Sequence, residues 1–198
     1  MSTNTLFPIF LKIDQIHTLL VGGGAVGLEK LGALLKNNPD AWVKLVATEI
    51  NEEIKEIAKS KPNIELIERP FQPEDLDGDI QLLILATDIR EINAEIYKMA
   101  KIKGILTNVA DTPDLCDFYL GSTVTKGDLK VGISTNGKSP TFAKRFREVL
   151  EDILPDETNS LIQNLHEIRN KLSVGFSEKV KILNERTKEL VSSKGSDK

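Results

Sequence analysis

Cysteine and histidine are almost missing from this chain: Cys116 is the single cysteine among 198 residues, and His17 and His166 are the two histidines. A lone thiol forms no internal disulfide, and so few thiolate and imidazole groups assemble no zinc cluster, so neither a disulfide scaffold nor a resident metal site is expected. Long apolar runs are missing as well. No stretch approaches the roughly 20 uninterrupted apolar residues of a membrane span, and no basic flank and apolar signal core open the chain, which predicts a soluble, cytoplasmic protein with no membrane partner. Excess positive charge is absent too, and a net charge of −4 argues against a general nucleic-acid binder, whose affinity comes from neutralising phosphates. What is present, 40% hydrophobic and 28% charged residues, suffices for one ordinary core with a smaller attached module.

From Gln15 to Asn108 short β-type runs alternate with helical patterns. His17 to Val21 is apolar and ends in three glycines, as a buried strand does; Ala25 to Asn37 places Val26, Leu31, Leu34 and Leu35 near one helical face and stops at Asn37-Asn38-Pro39. Trp42 to Ala47 and Ile64 to Glu68 read as strands, with a helix from Glu49 to Ser60 between them carrying Ile50, Ile54, Ile57 and Ala58. Ile80 to Ala86 suits a strand covered on both faces, Glu91 to Lys103 a helix capped by Gly104, and Ile105 to Asn108 a further strand. This alternation implies an α/β fold with a parallel sheet.

After Asp111-Thr112-Pro113 the pattern changes. Phe118 to Thr125 and Leu129 to Thr135, joined by Lys126-Gly127-Asp128, read as an antiparallel hairpin. Ser139-Pro140 is a helix start, a capping hydroxyl before a first-turn proline. Phe142, Phe146, Val149, Leu150 and Ile153 then form one apolar face, and Leu154-Pro155 ends it. Two amphipathic segments follow, one with Leu161, Leu165, Ile168 and Leu172 and one with Val180, Leu183 and Leu190; the polar residues Ser192 to Lys198 are expected to fray.

Gly22-Gly23-Gly24-Ala25-Val26-Gly27 satisfies G-x-G-x-x-G directly after a strand and at the mouth of a helix. Gly22 permits the tight turn, Gly24 lets a pyrophosphate approach the backbone, and Gly27 permits close helix packing, while the free N–H groups at Ala25 and Val26 favour the anion. An adenine dinucleotide, NAD, is the expected cofactor. The second strand ends Val46-Ala47-Thr48-Glu49, so the acidic ribose marker is displaced; Glu49 either points at the ribose or sits near the positive end of the next helix. Thr87, in Ala86-Thr87-Asp88, either lines the cofactor crevice or caps the following helix. Asp111, closing Asn108-Val109-Ala110-Asp111, falls at the sheet edge, where its carboxylate can accept a proton or cap the Thr112-Pro113 turn. Cys116 reads as a packing residue, since no histidine partner is near. Ser134-Thr135-Asn136-Gly137-Lys138-Ser139-Pro140 combines hydroxyls, a glycine and a lysine before a helix N-terminus and can bind carboxylates, with Lys144, Arg145 and Arg147 either adding to it or forming a solvated face. His17 and His166 are assigned no role.

Taken in order, Leu6-Phe7-Pro8-Ile9-Phe10, the glycine loop, Ala86-Thr87-Asp88, Asn108-Val109-Ala110-Asp111 and Ser134 to Pro140 resemble the precorrin-2 dehydrogenase family, the dehydrogenase part of siroheme synthase. The resemblance runs from about Leu6 to Pro155. It implies a Rossmann-type NAD-binding domain over 1–114, a hairpin-and-helix dimerisation and substrate region over 115–154, and a small helical module over 155–198. The implied reaction is NAD-dependent oxidation of precorrin-2 to sirohydrochlorin by a homodimer, with ferrous iron as a further substrate in some relatives. It implies a general-base role for Asp111 and contact of Asn108, Thr135 and Lys138 with the polycarboxylate macrocycle. Thr135 stands where some relatives carry a serine that can be phosphorylated. Multifunctional siroheme synthases continue into a methyltransferase domain, so this chain, ending at Lys198, is not expected to make precorrin-2. The reading from a different class is an NAD-sensing regulatory module without catalytic activity.

Overall fold

A computed structural model describes residues 3–188; Leu190 and the tail expected to fray, Ser192 to Lys198, lie outside the described residues. The chain divides into two compact units, Met1–Leu120 and Gly121–Lys198. In the first, the order is β1 (His17–Val21), α1 (Ala25–Asn37), β2 (Trp42–Ala47), α2 (Glu52–Lys59), β3 (Ile64–Glu68), β4 (Ile80–Leu85), α3 (Arg90–Ile102) and β5 (Leu106–Val109). The five strands form one sheet in the order β3-β2-β1-β4-β5, all pairs parallel. The chain therefore winds outward from β1 through β2 to β3, then crosses to β4 on the other side of β1. The carboxyl ends of β1 and β4 consequently flank the point where strand order reverses.

Strand side chains alternate between faces, and the two apolar clusters follow that alternation. Leu20, Val43, Leu45 and Ile84 pack with Leu31 and Leu34 of α1 and Ile54 of α2. Leu19, Val21, Val46, Leu83 and Leu85 pack with Ile96 and Ala100 of α3. Each fully buried Leu or Ile contributes roughly 1.5–3 kcal/mol, so the sheet is held from both sides.

Several boundaries shift for local reasons. The helix expected from Glu49 begins at Glu52, because Asn51 is the cap: its side-chain oxygen accepts the Glu53 N–H at 2.8 Å. Val26, expected on the core face of α1, is exposed at the loop mouth. The strand expected from Phe118 begins only at Ser122, since residues 117 and 118 are tied instead to the open edge of β5. The Asp117 N–H donates to the Thr107 carbonyl at 2.7 Å, and the Asn108 amide donates to the Phe118 carbonyl at 2.8 Å.

In the second unit β6 (Ser122–Lys126) and β7 (Leu129–Ile133) form the expected antiparallel hairpin, followed by α4 (Pro140–Ile153), α5 (Thr158–Lys171) and α6 (Phe176–Thr187). Ser139 caps α4 by accepting the Phe142 N–H at 3.2 Å. The expected apolar face of α4 is present and largely exposed, at Phe142 (59%), Phe146, Val149 and Ile153; only Ala143 of this helix is buried. Among the described residues no helix is long and apolar enough to cross a membrane.

Among the described residues one ionisable side chain of the first unit is buried. Asp75 (1% exposed) takes both guanidinium nitrogens of Arg69 at 2.8 Å and the Lys44 ammonium at 3.0 Å. It also accepts the Gln72 N–H, fixing the turn between β3 and β4. The Arg69 guanidinium holds the Asp75 carboxyl well below the usual carboxylate range. Asp75→Ala is expected to cost about 3 kcal/mol in urea unfolding at pH 7, because it strands two cations. A group whose folded-state pKa is depressed stabilises above its ordinary value near 3.8 and loses that contribution as pH falls. The gap between wild type and variant therefore narrows below about pH 4; a gap unchanged down to pH 3 would refute the assignment.

Candidate active site

The site is built from the carboxyl ends of four parallel strands. Gly22 leaves β1 with φ +119°, and a Cβ there would collide with the Ala86 carbonyl. A Cβ at Gly27 would collide with the Gly22 carbonyl, and one at Gly23 with the Glu49 carbonyl. These three glycines are buried and are required by backbone-to-backbone approach. Gly24 differs: it is exposed, and a Cβ there would meet nothing within 4 Å. Gly24, Ala25 and Val26 open α1 toward solvent with no side-chain cap and no acidic residue in the first turn. Unsatisfied N–H groups and a positive helix end thus face an open space. The loop is locked from both sides, Gly22 N–H donating to the Val46 carbonyl at 3.0 Å and Asn51 N–H to the Gly23 carbonyl at 2.9 Å. This arrangement fits a dinucleotide pyrophosphate.

Thr48 and Glu49 are exposed just beyond β2, one strand from the loop. Because Asn51 caps α2 and Glu52 and Glu53 occupy its first turn, the helix does not need Glu49. The Glu49 carboxylate makes no hydrogen bond or ion pair among the described residues, which leaves it available beside the crevice.

Beyond β4, Thr87 does not cap α3, whose N-cap is Ile89. Its hydroxyl is paired with Asn93 Oδ1 at 2.7 Å, and Asn93 Nδ2 donates to the Thr87 carbonyl at 3.0 Å. Since a carbonyl only accepts, the amide orientation is fixed and the Thr87 hydroxyl must be the donor; the same oxygen accepts the Ile89 N–H at 3.4 Å. Asn93 is buried on the first turns of α3.

Beyond β5, Asp111 is exposed in a left-handed backbone conformation, φ 53°. Its side chain caps nothing: the turn is closed by the Thr112 N–H to the Val109 carbonyl at 3.3 Å. Asn108 is buried (6% exposed), its amide committed to Phe118, so it orients the strand end. Cys116 binds the same loop, its sulfur 3.3 Å from both the N and O of Val109 and 3.4 Å from the Thr112 carbonyl. Burial pushes its thiol pKa up, as suits a packing residue. The sheet order brings Thr48 and Glu49, the glycine loop, Thr87 and Asp111 to one edge, with Asp111 two strand spacings from the loop, about 10 Å.

Thr135 and Lys138 belong to the second unit. Thr135 and Lys138 bracket a turn closed by the Lys138 N–H to the Thr135 carbonyl at 3.1 Å, with Asn136 and Gly137 both left-handed. The Thr135 hydroxyl accepts the Ser139 N–H at 3.1 Å. Lys138 is exposed.

Sequence reasoning passed over Gly23, Asn93 and the latching contacts of Cys116 and Asp117. The only local signal was glycine at the middle position between Gly22 and Gly24; the others act through partners distant in the chain.

A family model described as "Putative NAD(P)-binding" matches residues 9–122, and one described as "Sirohaem biosynthesis protein central" matches residues 126–153. The siroheme synthase of Methylococcus capsulatus is 35% identical over 171 residues, covering 86% of this chain and 35% of its own length. Siroheme synthase 3 of Aeromonas hydrophila is 35% identical over 170 residues, covering 86% and 36%. The chain thus spans about a third of the length of these curated relatives. Among solved structures, "SirC, precorrin-2 dehydrogenase" superposes with a TM-score of 0.70 at 25% identity, covering 91% of this chain and 88% of that one.

Gly24→Asp is expected to leave the fold intact, since the added side chain meets open space and aspartate is a good helix cap. The same carboxylate would occupy the anion's place. Calorimetric titration should show NAD affinity reduced by more than about 100-fold, a charge-assisted site replaced by like-charge repulsion, with Tm unchanged. Unaltered affinity would move the cofactor away from this loop.

Proposed function

The chain belongs to the NAD(P)-binding family whose model it matches over residues 9–122, and from that premise we propose that it oxidises precorrin-2 to sirohydrochlorin with NAD, in the cytoplasm, as a step of siroheme biosynthesis. The observation that carries the reading is the open, uncapped and acid-free start of α1 on the same sheet edge as Asp111. Support from relatives extends past the first unit, through the central segment over 126–153 and the dehydrogenase superposed on 91% of the chain. A purely NAD-sensing module accounts for the first unit alone and receives no such support.

In this reading Gly22, Gly24, Ala25 and Val26 receive the pyrophosphate, Thr48 and Glu49 flank the adenosine ribose, and Thr87 lines the crevice beside Gly22. NAD supplies the hydride acceptor when bound. Oxidation removes a hydride and a proton from the macrocycle, and the Asp111 carboxylate accepts the proton, a role open to an exposed carboxylate with no hydrogen bond among the described residues. Asn108 orients the strand end below Asp111, while Thr135 and Lys138 meet substrate carboxylates. We assign residues 121–154 to substrate binding and subunit pairing and the remaining helices to a small module.

Anaerobic incubation of precorrin-2 with NAD should yield NADH and the sirohydrochlorin spectrum in equal amounts, and added ferrous iron tests insertion against a protein-free control. Asp111→Ala is expected to lower turnover by about 10²–10⁴-fold, the usual worth of a general base, with NAD affinity unchanged. No NADH from the wild type would reject the dehydrogenase reading, and near-normal turnover of the variant would reject the base.

The exposed stripe Phe142, Phe146, Val149 and Ile153 on α4, with Phe7 at 86% exposure in the N-terminal segment, supports a homodimer, because such patches on a soluble chain call for a partner. Light scattering should give twice the chain mass across dilution; a monomer would reject the paired state.

A further inference from the structure

Helices α5 and α6 carry a feature that the dehydrogenase reading does not use. Neither helix contains a buried residue, and between them lies a cavity of about 410 Å³ lined by His166, Arg169, Asn170, Val174, Phe176 and Lys179. Its lining is one-sided in chemistry. Every ionisable side chain there is basic, and no carboxylate contributes, although the chain carries a net charge of −4.

The cations are held apart from the acids around them. Lys179 donates to the Arg169 main-chain carbonyl at 3.1 Å, which draws its ammonium to the end of α5, and among the described residues its other two donors make no hydrogen bond. Arg169 makes no hydrogen bond or ion pair with its side chain among the described residues, whereas neighbouring Lys171 pairs with Glu167 at 3.4 Å. His166 and Asn170 hold each other, Nε2 to Nδ2 at 3.0 Å. Phe176 leaves its ring 70% exposed at the first position of α6, and Val174 extends the apolar wall. A guanidinium fork, an ammonium and an exposed aromatic face together recognise a flat apolar body bearing carboxylates.

We propose that this cavity is a second binding site for planar polycarboxylates, with Arg169 and Lys179 engaging carboxylates and Phe176 lying against the flat face. The choice of ligand rests on the dehydrogenase reading, whose substrate has this chemistry; the site itself rests on the cavity lining. It lies wholly within α5, α6 and their connection, and it uses none of the residues assigned to the reaction.

The probe is uroporphyrin, a stable fluorescent polycarboxylate, titrated into the full chain at saturating NAD. Wild type is expected to show two classes of site. R169E/K179E should lose one class, its affinity falling about tenfold for each removed charge-assisted contact. F176A should weaken the same class about tenfold by loss of the aromatic face, with circular dichroism and saturated turnover of precorrin-2 unchanged in both variants. Superimposable isotherms for all three proteins, or a single class in the wild type, overturn the proposal. NADH production is read separately, so absent turnover with a charge-sensitive second class rejects the reaction and retains the cavity. Normal turnover with unaltered isotherms rejects the cavity alone.

Discussion

Backbone touching backbone at Gly22 is the constraint on which the first unit depends. The Gly22 main chain lies against the Ala86 carbonyl on one side and against Gly27 on the other, with no space for a Cβ at either glycine. The Ala86 N–H to Val21 carbonyl bond, at 2.8 Å, continues the sheet up to this point of contact. β1 and β4 therefore stay together to their last residue, and the start of α1 is drawn down over the end of β1. The opening begins only at Gly24, where the backbone has empty space before it. Tight packing behind and open space in front come from one short segment, and it is this combination that makes the strand reversal a binding crevice.

Two other helix termini of the chain show what α1 lacks. α2 has Asn51 at its cap and two glutamates in its first turn, and α4 has the Ser139 hydroxyl. Both obey the local rules that stabilise an isolated helix start. α1 has neither provision, a lack it shares with α5; with glycine at its exposed cap it forgoes about a few tenths of a kcal/mol, and it alone opens from the locked glycine turn at the strand reversal. Local rules are characteristically broken where an external group completes the structure. An anion placed at Gly24 supplies what Asn51 supplies to α2.

The strands of the sheet were legible because they are short, largely apolar runs that end near glycine, threonine or acid at the carboxyl edge. β1, β2 and β3 and helix α1 fall on the residues that periodicity indicates. The glycine loop was legible for the same reason, since its motif has meaning only between a strand and a helix. What stayed hidden depends on partners far away in sequence. Asn93 becomes informative only once its amide is seen on Thr87, and Asp75 only once Lys44 and Arg69 converge on it. On α4 the 142, 146, 149, 153 spacing correctly marks an apolar face, but spacing carries no information on what covers it, and within this chain little does.

The same distinction between local pattern and through-space partner governs Asp111. β5 is the last strand of the sheet, and an unpaired edge would leave the loop beyond it free to move. Residues 116–118 fold back along that edge instead. Asp117 both donates to the Thr107 carbonyl and accepts the Thr107 N–H at 3.0 Å, while Lys101 anchors its other oxygen at 2.7 Å. Cys116 and Asn108 then fasten the segment on each side of the Val109–Thr112 turn. Held this way, Asp111 tolerates a left-handed backbone that costs an L-residue roughly 1 kcal/mol. A capping aspartate would recover that cost through a hydrogen bond to the turn, and this one makes none. The surrounding contacts offset the strain, and the result is a main chain held in place at the edge of the sheet, with an exposed Asp111 carboxylate that makes no hydrogen bond among the described residues.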